Sequence, residues 1–270
     1  MNANVKIQWW IKKGDETAVL NLSGLDIEEL PELPPNLQKL ECYNCPNLKE
    51  LPKLPPNLQV LNCIKCSKLK ELPELPTSLI DLKCSNCPIE KLPKLPPNLR
   101  NLNCLFCHKL EGLSELPESL QILYCYHCSN LKELPELPPY LHSLNCSSCH
   151  NLKELPELPV SLKYLYCSYC PIKKFPELPE ILCKFECYNC SELKELPELP
   201  ENLLKLDCSQ CPIEKLPKLS LLIQIISCYK CYNLKELPKL PELPESLRRL
   251  DCSSCPIESL PTILPKKIYL

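Results

Sequence analysis

Apolar residues recur along nearly the whole chain at one fixed spacing. Leu37, Leu40, Cys42, Cys45, Leu48, Leu51 and Leu54 are followed by Leu58, Leu61, Cys63, Cys66, Leu69, Leu72 and Leu75. The unit reads L-x-x-L-x-C-x-x-C-x-x-L-x-x-L-P-x-L-P-x-x. Successive units open at Leu37, Leu58, Leu79, Leu99, Leu120, Leu141, Leu162, Leu182, Leu203, Ile223 and Leu247. Some units are one residue shorter and carry a Cys-Pro-Ile variant, as at Cys87-Pro88-Ile89, Cys170-Pro171-Ile172 and Cys211-Pro212-Ile213. The interval before Leu247 is longer, with an extra Pro-Glu-Leu step around Pro241. An earlier unit opens at Thr17, with Leu22 and Leu25 where later units place their two cysteines.

A unit this short cannot bury its apolar positions alone, whereas stacked neighbours can. The L-x-x-L-x-C stretch alternates inward and outward residues, which predicts a short strand. Each coil then adds one strand to a parallel sheet. The L-P-x-L-P half cannot be helical, because proline removes a backbone donor and disfavours helix in the residue before it. It is expected to run extended, in polyproline-II fashion, along the outside. The expected architecture is mainly β: an array of about twelve coils over residues 17–261, with an N-terminal cap at 1–16 and a C-terminal cap at 262–270. Trp9, Trp10 and Ile11 are candidates to shield the first coil. Ile263, Leu264, Ile268 and Leu270 make a thin cover for the last, and Ile268 to Leu270 could begin a further coil.

This unit resembles the leucine-rich repeat, L-x-x-L-x-L-x-x-N/C-x-L, over residues 17 to 270. The short L-P-x-L-P half is similar to the repeats of secreted bacterial effectors of the YopM and IpaH type. The cysteine-rich form is similar to repeat proteins of giant DNA viruses such as mimivirus. The resemblance implies a solenoid in a horseshoe or arc, with the parallel sheet on its concave face and a protein or peptide partner bound there. IpaH-type effectors add a C-terminal ligase domain, for which residues up to Leu270 leave no room, and residues 1 to 16 are too short for an F-box.

The composition agrees with a repeat array: 32 Pro, 23 Cys and only 3 Gly. A net charge of −2 and an isoelectric point near 6.2 give no basic excess for nucleic acid or anionic lipid. Residues 1–16 lack the apolar stretch of a signal peptide, and no run of apolar residues is long enough to span a membrane. A cytoplasmic location is expected, that of a host cell if the chain is viral or an effector, with thiols kept reduced. His108, His127, His142 and His150 belong to no catalytic pattern, and Gly14, Gly24 and Gly112 form no phosphate loop. No enzymatic activity and no cofactor are expected.

Eleven C-x-x-C pairs plus Cys183 account for all 23 cysteines. Paired C-x-x-C motifs can hold zinc. Here, however, the first Cys falls on an inward strand position and the second on the N/C slot, and Leu22 and Leu25 fill both slots in the first unit. Buried reduced thiols are the favoured reading. A thiolate metal-binding or redox-buffering protein is the alternative, and disulfides between neighbouring coils are a further one. Cys104 to His108 and Cys146 to His150 match C-x-x-C-H, but the residue after the pair varies too much across the units to indicate haem. Cys183 lies outside the pattern and is the candidate for a reactive, partly exposed thiol, with a half-buried cysteine the favoured reading.

Eight of the eleven tyrosines, among them Tyr43 and Tyr229, occupy the variable slots between and just after the strand leucines. The richest group lies in the units from Leu99 to Leu182. The candidate partner-binding residues are Phe106, Tyr124, Tyr126, His127, Tyr164, Tyr166, Tyr169 and Tyr188. Tyrosine with neighbouring Ser and Asn, such as Asn103, Asn145 and Ser168, is the composition of adaptable binding surfaces.

Overall fold

A computed structural model describes residues 2–237, 245–257 and 267–269. The chain divides into two compact units, Met1–Leu131 and Lys132–Leu270.

The first unit opens with helix α1, Ala3–Lys13. Asn2 begins it, its side chain accepting the Val5 N–H at 3.0 Å. Gly14 ends it in the left-handed region at φ 67°, its N–H bonded to the Ile11 carbonyl. Ala3, Ile7 and Trp10 are spaced as one helical face and are buried. The Trp10 indole N–H donates to the Ala18 carbonyl at 3.0 Å, at the start of the first coil. Of the three residues expected to shield that coil, only Trp10 is buried: Trp9 and Ile11 are 59% and 49% exposed. At 3.6 residues per turn, the two chain neighbours of a buried residue point away from its face.

Six three-residue strands follow in parallel, each paired with the next: β1 Val19–Asn21, β2 Lys39–Glu41, β3 Val60–Asn62, β4 Asp81–Lys83, β5 Asn101–Asn103 and β6 Ile122–Tyr124. The second unit holds β7 Ser143–Asn145, β8 Tyr164–Tyr166, β9 Lys184–Glu186, β10 Lys205–Asp207, β11 Ile225–Ser227, β12 Arg249–Asp251 and β13 Lys267–Tyr269, again parallel in chain order. In β1–β12 the middle residue is buried, and in most both neighbours are partly exposed. β13 stands where Ile268 to Leu270 were expected to begin a further coil. The Pro-Glu-Leu step around Pro241 and the cap residues Ile263 and Leu264 lie outside the described residues.

Between strands the coils carry no regular helix among the described residues, as their prolines require. A tight turn re-enters each strand. The Leu37 N–H donates to the Pro34 carbonyl at 3.1 Å, and Leu58, Leu79, Leu162 and Leu203 repeat the bond with the proline three residues earlier. The core of each unit is a stack of identical layers. Leu61, Cys63, Cys66 and Leu69 are fully buried in one coil, and Leu165 and Cys167 in another. Phe185 replaces leucine in β9 and packs edge-on against Phe175, centroids 4.9 Å apart.

Candidate functional site

Every coil closes its strand with the same turn, and the two cysteines hold its inside. The N–H of the first cysteine extends the strand ladder, as in Cys42 to Asn62 at 2.8 Å and Cys146 to Tyr166 at 2.9 Å. The second cysteine takes the place of the family's asparagine. Its thiol donates to the carbonyl of the first cysteine one coil earlier: Cys66 to Cys42 at 3.2 Å, Cys87 to Cys63 at 3.1 Å and Cys128 to Cys104 at 3.1 Å in the first unit. Cys190 to Cys167 at 3.2 Å and Cys211 to Cys187 at 3.0 Å do the same in the second. Leaving a buried carbonyl unpaired costs about 1–3 kcal/mol, and each of these bonds pairs one.

All the cysteines are free thiols, and apart from Cys183 and Cys255 all are buried. Burial pushes the Cys167 thiol well above its ordinary range and the Cys252 thiol up to about 11. These two sulfurs are held protonated, while hydrogen bonds from neighbouring thiols draw Cys66, Cys107 and Cys211 the other way. No group of three or more His, Cys, Asp or Glu among the described residues converges as a metal's ligand set would. Cys183, outside the repeat pattern, is half-buried, with its thiol 3.4 Å from the Ile181 carbonyl.

The outside of the same turn is where the coils differ. The residue before the second cysteine is always left-handed: φ is 57° at Asn44, 61° at Lys65, 57° at Asn86 and 57° at Ser148. The first coil has Gly24 there, at 71°. Gly and Asn suit this conformation, whereas bulky side chains cost about 1 kcal/mol there. Yet the position holds Phe106 at 58°, His127 at 63° and Tyr169 at 60°. In those coils a ring stands where the backbone conformation disfavours a bulky side chain.

In the first unit the rings form one cluster. Phe106 stacks on His127 with centroids 5.1 Å apart and meets Tyr126 edge-on at 5.2 Å. His108 completes the cluster, 5.2 Å from His127. Sequence reasoning considered His108 only as part of a haem motif. Its stacking role follows from its place just after the second cysteine of the Phe106 coil. Tyr124 stands apart in sequence position, on β6 itself.

In the second unit Tyr169 and Tyr188 meet edge-on at 5.0 Å, and the neighbouring Tyr169 hydroxyl pushes the Tyr188 phenol above its usual range. Tyr164 and Tyr166 lie on β8, with Tyr164 42% exposed. The Lys184 ammonium sits over the Tyr166 ring at 4.7 Å and also reaches Glu186 at 3.0 Å. Lys205 reaches the same carboxylate at 2.8 Å. Burial pushes the Glu186 carboxyl up, but the hydrogen bonds and charges of Lys205 and Lys184 outweigh it and hold the group below the usual glutamate range. The candidate rings therefore occupy two kinds of position, strand residues and turn residues, rather than one uniform set.

The backbone under the turn tyrosines is held by serines that sequence reasoning passed over. Where the strand ends in Asn or Asp, that side chain accepts the turn N–H, as Asn62 does for Ile64 at 3.3 Å and Asp207 for Ser209 at 3.1 Å. The strands before Tyr43, Tyr188 and Tyr229 end in Glu41, Glu186 and Ser227 instead. Their N–H groups are accepted by Ser23 at 3.2 Å, Ser168 at 3.1 Å and Ser209 at 3.2 Å, each one coil earlier. The signal in the sequence is a serine one coil before each of these tyrosines.

No protein-family model matches the chain, and no curated protein does. Solved structures do. The leucine-rich effector protein YopM of Yersinia pestis is 28% identical over 99% of this chain and 86% of its own, with a TM-score of 0.67. The functional domain of InlJ from Listeria monocytogenes, which includes a cysteine ladder, is 20% identical over 90% of this chain and 58% of its own, with a TM-score of 0.57. A leucine-rich repeat protein of Bacteroides ovatus is 20% identical over 90% of this chain and 74% of its own, with a TM-score of 0.55. The chain has the leucine-rich repeat fold, built from cysteine-rich repeats.

Proposed function

We propose that this leucine-rich repeat chain is a non-enzymatic binding protein whose partner, a protein or peptide, lies on the ring-bearing side of the strands and their closing turns. One observation carries the reading. The left-handed turn position, where other coils carry Gly, Asn or Ser and three carry the flexible Lys65, Gln210 and Lys230, holds the rings of Phe106, His127 and Tyr169, against the preference of the backbone. Residues that break a local rule without helping the fold mark functional sites. The neighbouring Tyr126, Tyr164, Tyr166 and Tyr188 supply the rigid amphipathic anchors that dominate binding energy at interfaces. Each unit carries its own patch: Phe106, Tyr124, Tyr126 and His127 in the first, Tyr164, Tyr166, Tyr169 and Tyr188 in the second. The match to an effector protein supports a partner inside a host cell, and the lack of a long apolar helix among the described residues is compatible with that site of action.

The test is capture of the partner by wild type and by a variant with Tyr126, Tyr164 and Tyr166 all changed to Ala. A control variant, Lys70→Ala with Glu71→Ala, alters two exposed residues outside the ring patches. Loss of one defined partner in the first variant and its retention in the control supports the reading. Equal capture by all three proteins refutes it.

A further inference from the structure

The turns that lead into the strands differ between the units. In the first unit the residue before the strand-entry leucine is polar in every coil: Asn36, Asn57, Ser78, Asn98 and Ser119. Ser78 and Ser119 donate to the Leu58 and Leu99 carbonyls one coil earlier, both at 2.7 Å. In the second unit every other coil keeps this bond: Ser161 to Leu141 at 2.7 Å, Asn202 to Glu180 at 2.9 Å and Ser246 to Ile223 at 2.7 Å. The intervening coils carry Tyr140, Ile181 and Leu222, which are 62%, 38% and 50% exposed. Val160 and Leu221 beside them are 81% and 78% exposed, and Leu204 is 37% exposed. In the Leu222 coil the bond passes to Ser220, whose hydroxyl donates to the Glu201 carbonyl, and all of these exposed side chains bury little, so the fold gives no reason for them. Glu180 and Glu201 stand exposed on the crest of the same row. Lys163 and Arg248 lie outside the stretch from Glu180 to Gln224 that carries the densest apolar group.

Helix α1 presents the matching surface. With Ala3, Ile7 and Trp10 turned inward, it leaves Val5 and Trp9, one turn apart on another face, 47% and 59% exposed. Its charges are Lys6, Lys12 and Lys13, with no carboxylate, and the Lys13 ammonium sits 4.2 Å over the Trp9 ring. One chain thus carries an unpartnered apolar helix face rimmed by cations and an unpartnered apolar row crested by carboxylates.

We infer that α1 of one copy docks on the strand-entry row of the second unit of another copy. Val5 and Trp9, one turn apart, cover Ile181, Leu204, Leu221 and Leu222, while Lys12 and Lys13 face Glu180 and Glu201. The contact is heterologous, so it builds chains or a closed ring. One short helix face buries less than the roughly 800 Å² per partner of a standard interface, so dissociation constants are on the order of 10–100 µM.

Sedimentation of the full chain across concentrations tests this. The weight-average mass should rise above the monomer's 31.0 kDa as the protein approaches about 100 µM. Leu222→Asp and Trp9→Asp, both at exposed positions, should each return it to monomer with an unchanged melting temperature, and Val5→Asp serves as a second helix variant. Lys12→Glu with Lys13→Glu should weaken association, as should Glu180→Lys with Glu201→Lys. Mixing those two charge-reversed proteins should restore it. A wild type that stays monomeric, association indifferent to Trp9→Asp, or no restoration on mixing would each overturn the inference. So would binding of α1 to anionic vesicles without self-association, which assigns the helix to a lipid surface.

Discussion

The inside and the outside of the strand-closing turn obey opposite rules. Inside, every coil from Cys42/Cys45 to Cys252/Cys255 carries the same two thiols, and the thiol-to-carbonyl bond recurs at 2.9 to 3.3 Å from Cys66 to Cys255. Outside, on the same few backbone atoms, the residue ranges over Gly24, Asn44, Lys65, Phe106, His127 and Tyr169. The inward residues serve the stack and tolerate little change. The outward ones are released from that duty, and in three coils they oppose it. Uniformity marks the fold, and departure from local preference marks the surface that something else selects.

The largest change should come from breaking the inner layer. Phe185→Ala removes a fully buried ring packed on Phe175 and should cost about 3–5 kcal/mol, read from denaturant unfolding. Next, Cys190→Ala deletes the donor to the Cys167 carbonyl and a small buried volume, for about 1–2 kcal/mol. An outward substitution such as Asn44→Ser should leave the same midpoint within about 0.5 kcal/mol. If the inward and outward changes cost alike, the contrast fails.

Titration sharpens the outer side. Glu186 is held below the ordinary glutamate range in the folded chain, so its contribution is present above the unfolded value and is lost as pH falls through the folded one. Glu186→Gln should therefore lower the melting temperature at pH 7, and the difference from wild type should vanish as pH falls below the folded-state value. Asp207 is pushed the other way, chiefly by burial, so Asp207→Asn should not lower the melting temperature at neutral pH as Glu186→Gln does. The smallest expected signal is chemical. A thiol reagent on the native chain should react at Cys183 and Cys255 and leave the buried thiols untouched until unfolding. Rapid labelling of Cys167 or Cys190 would deny them their place in the core.

Much of this was legible in the sequence. The register placed Leu61, Cys63 and Cys66 in the core, because a repeat that buries only against its neighbours must turn its unvarying residues inward. It also placed the candidate tyrosines on strands and closing turns. The left-handed backbone at Phe106, His127 and Tyr169 was not legible, because those side chains argue against the conformation their neighbours impose. The interlocking serines were hidden for a similar reason: Ser168 and Tyr188 are adjacent only after the coils stack. The helical face of Ala3, Ile7 and Trp10 was masked by Trp9 and Ile11, equally apolar neighbours on either side of Trp10. The strand-entry row of Tyr140, Ile181 and Leu222 was not legible because its members alternate with Ser161, Asn202 and Ser246 from coil to coil.

The most direct test of the account swaps the strained rings for the residue the backbone prefers. Phe106→Asn, His127→Asn and Tyr169→Asn together should raise stability by about 1–3 kcal/mol, by relieving three left-handed bulky residues, and should abolish capture of the partner. A variant no more stable than wild type, or one that keeps its partner, would contradict the claim that these coils trade local stability for a binding surface.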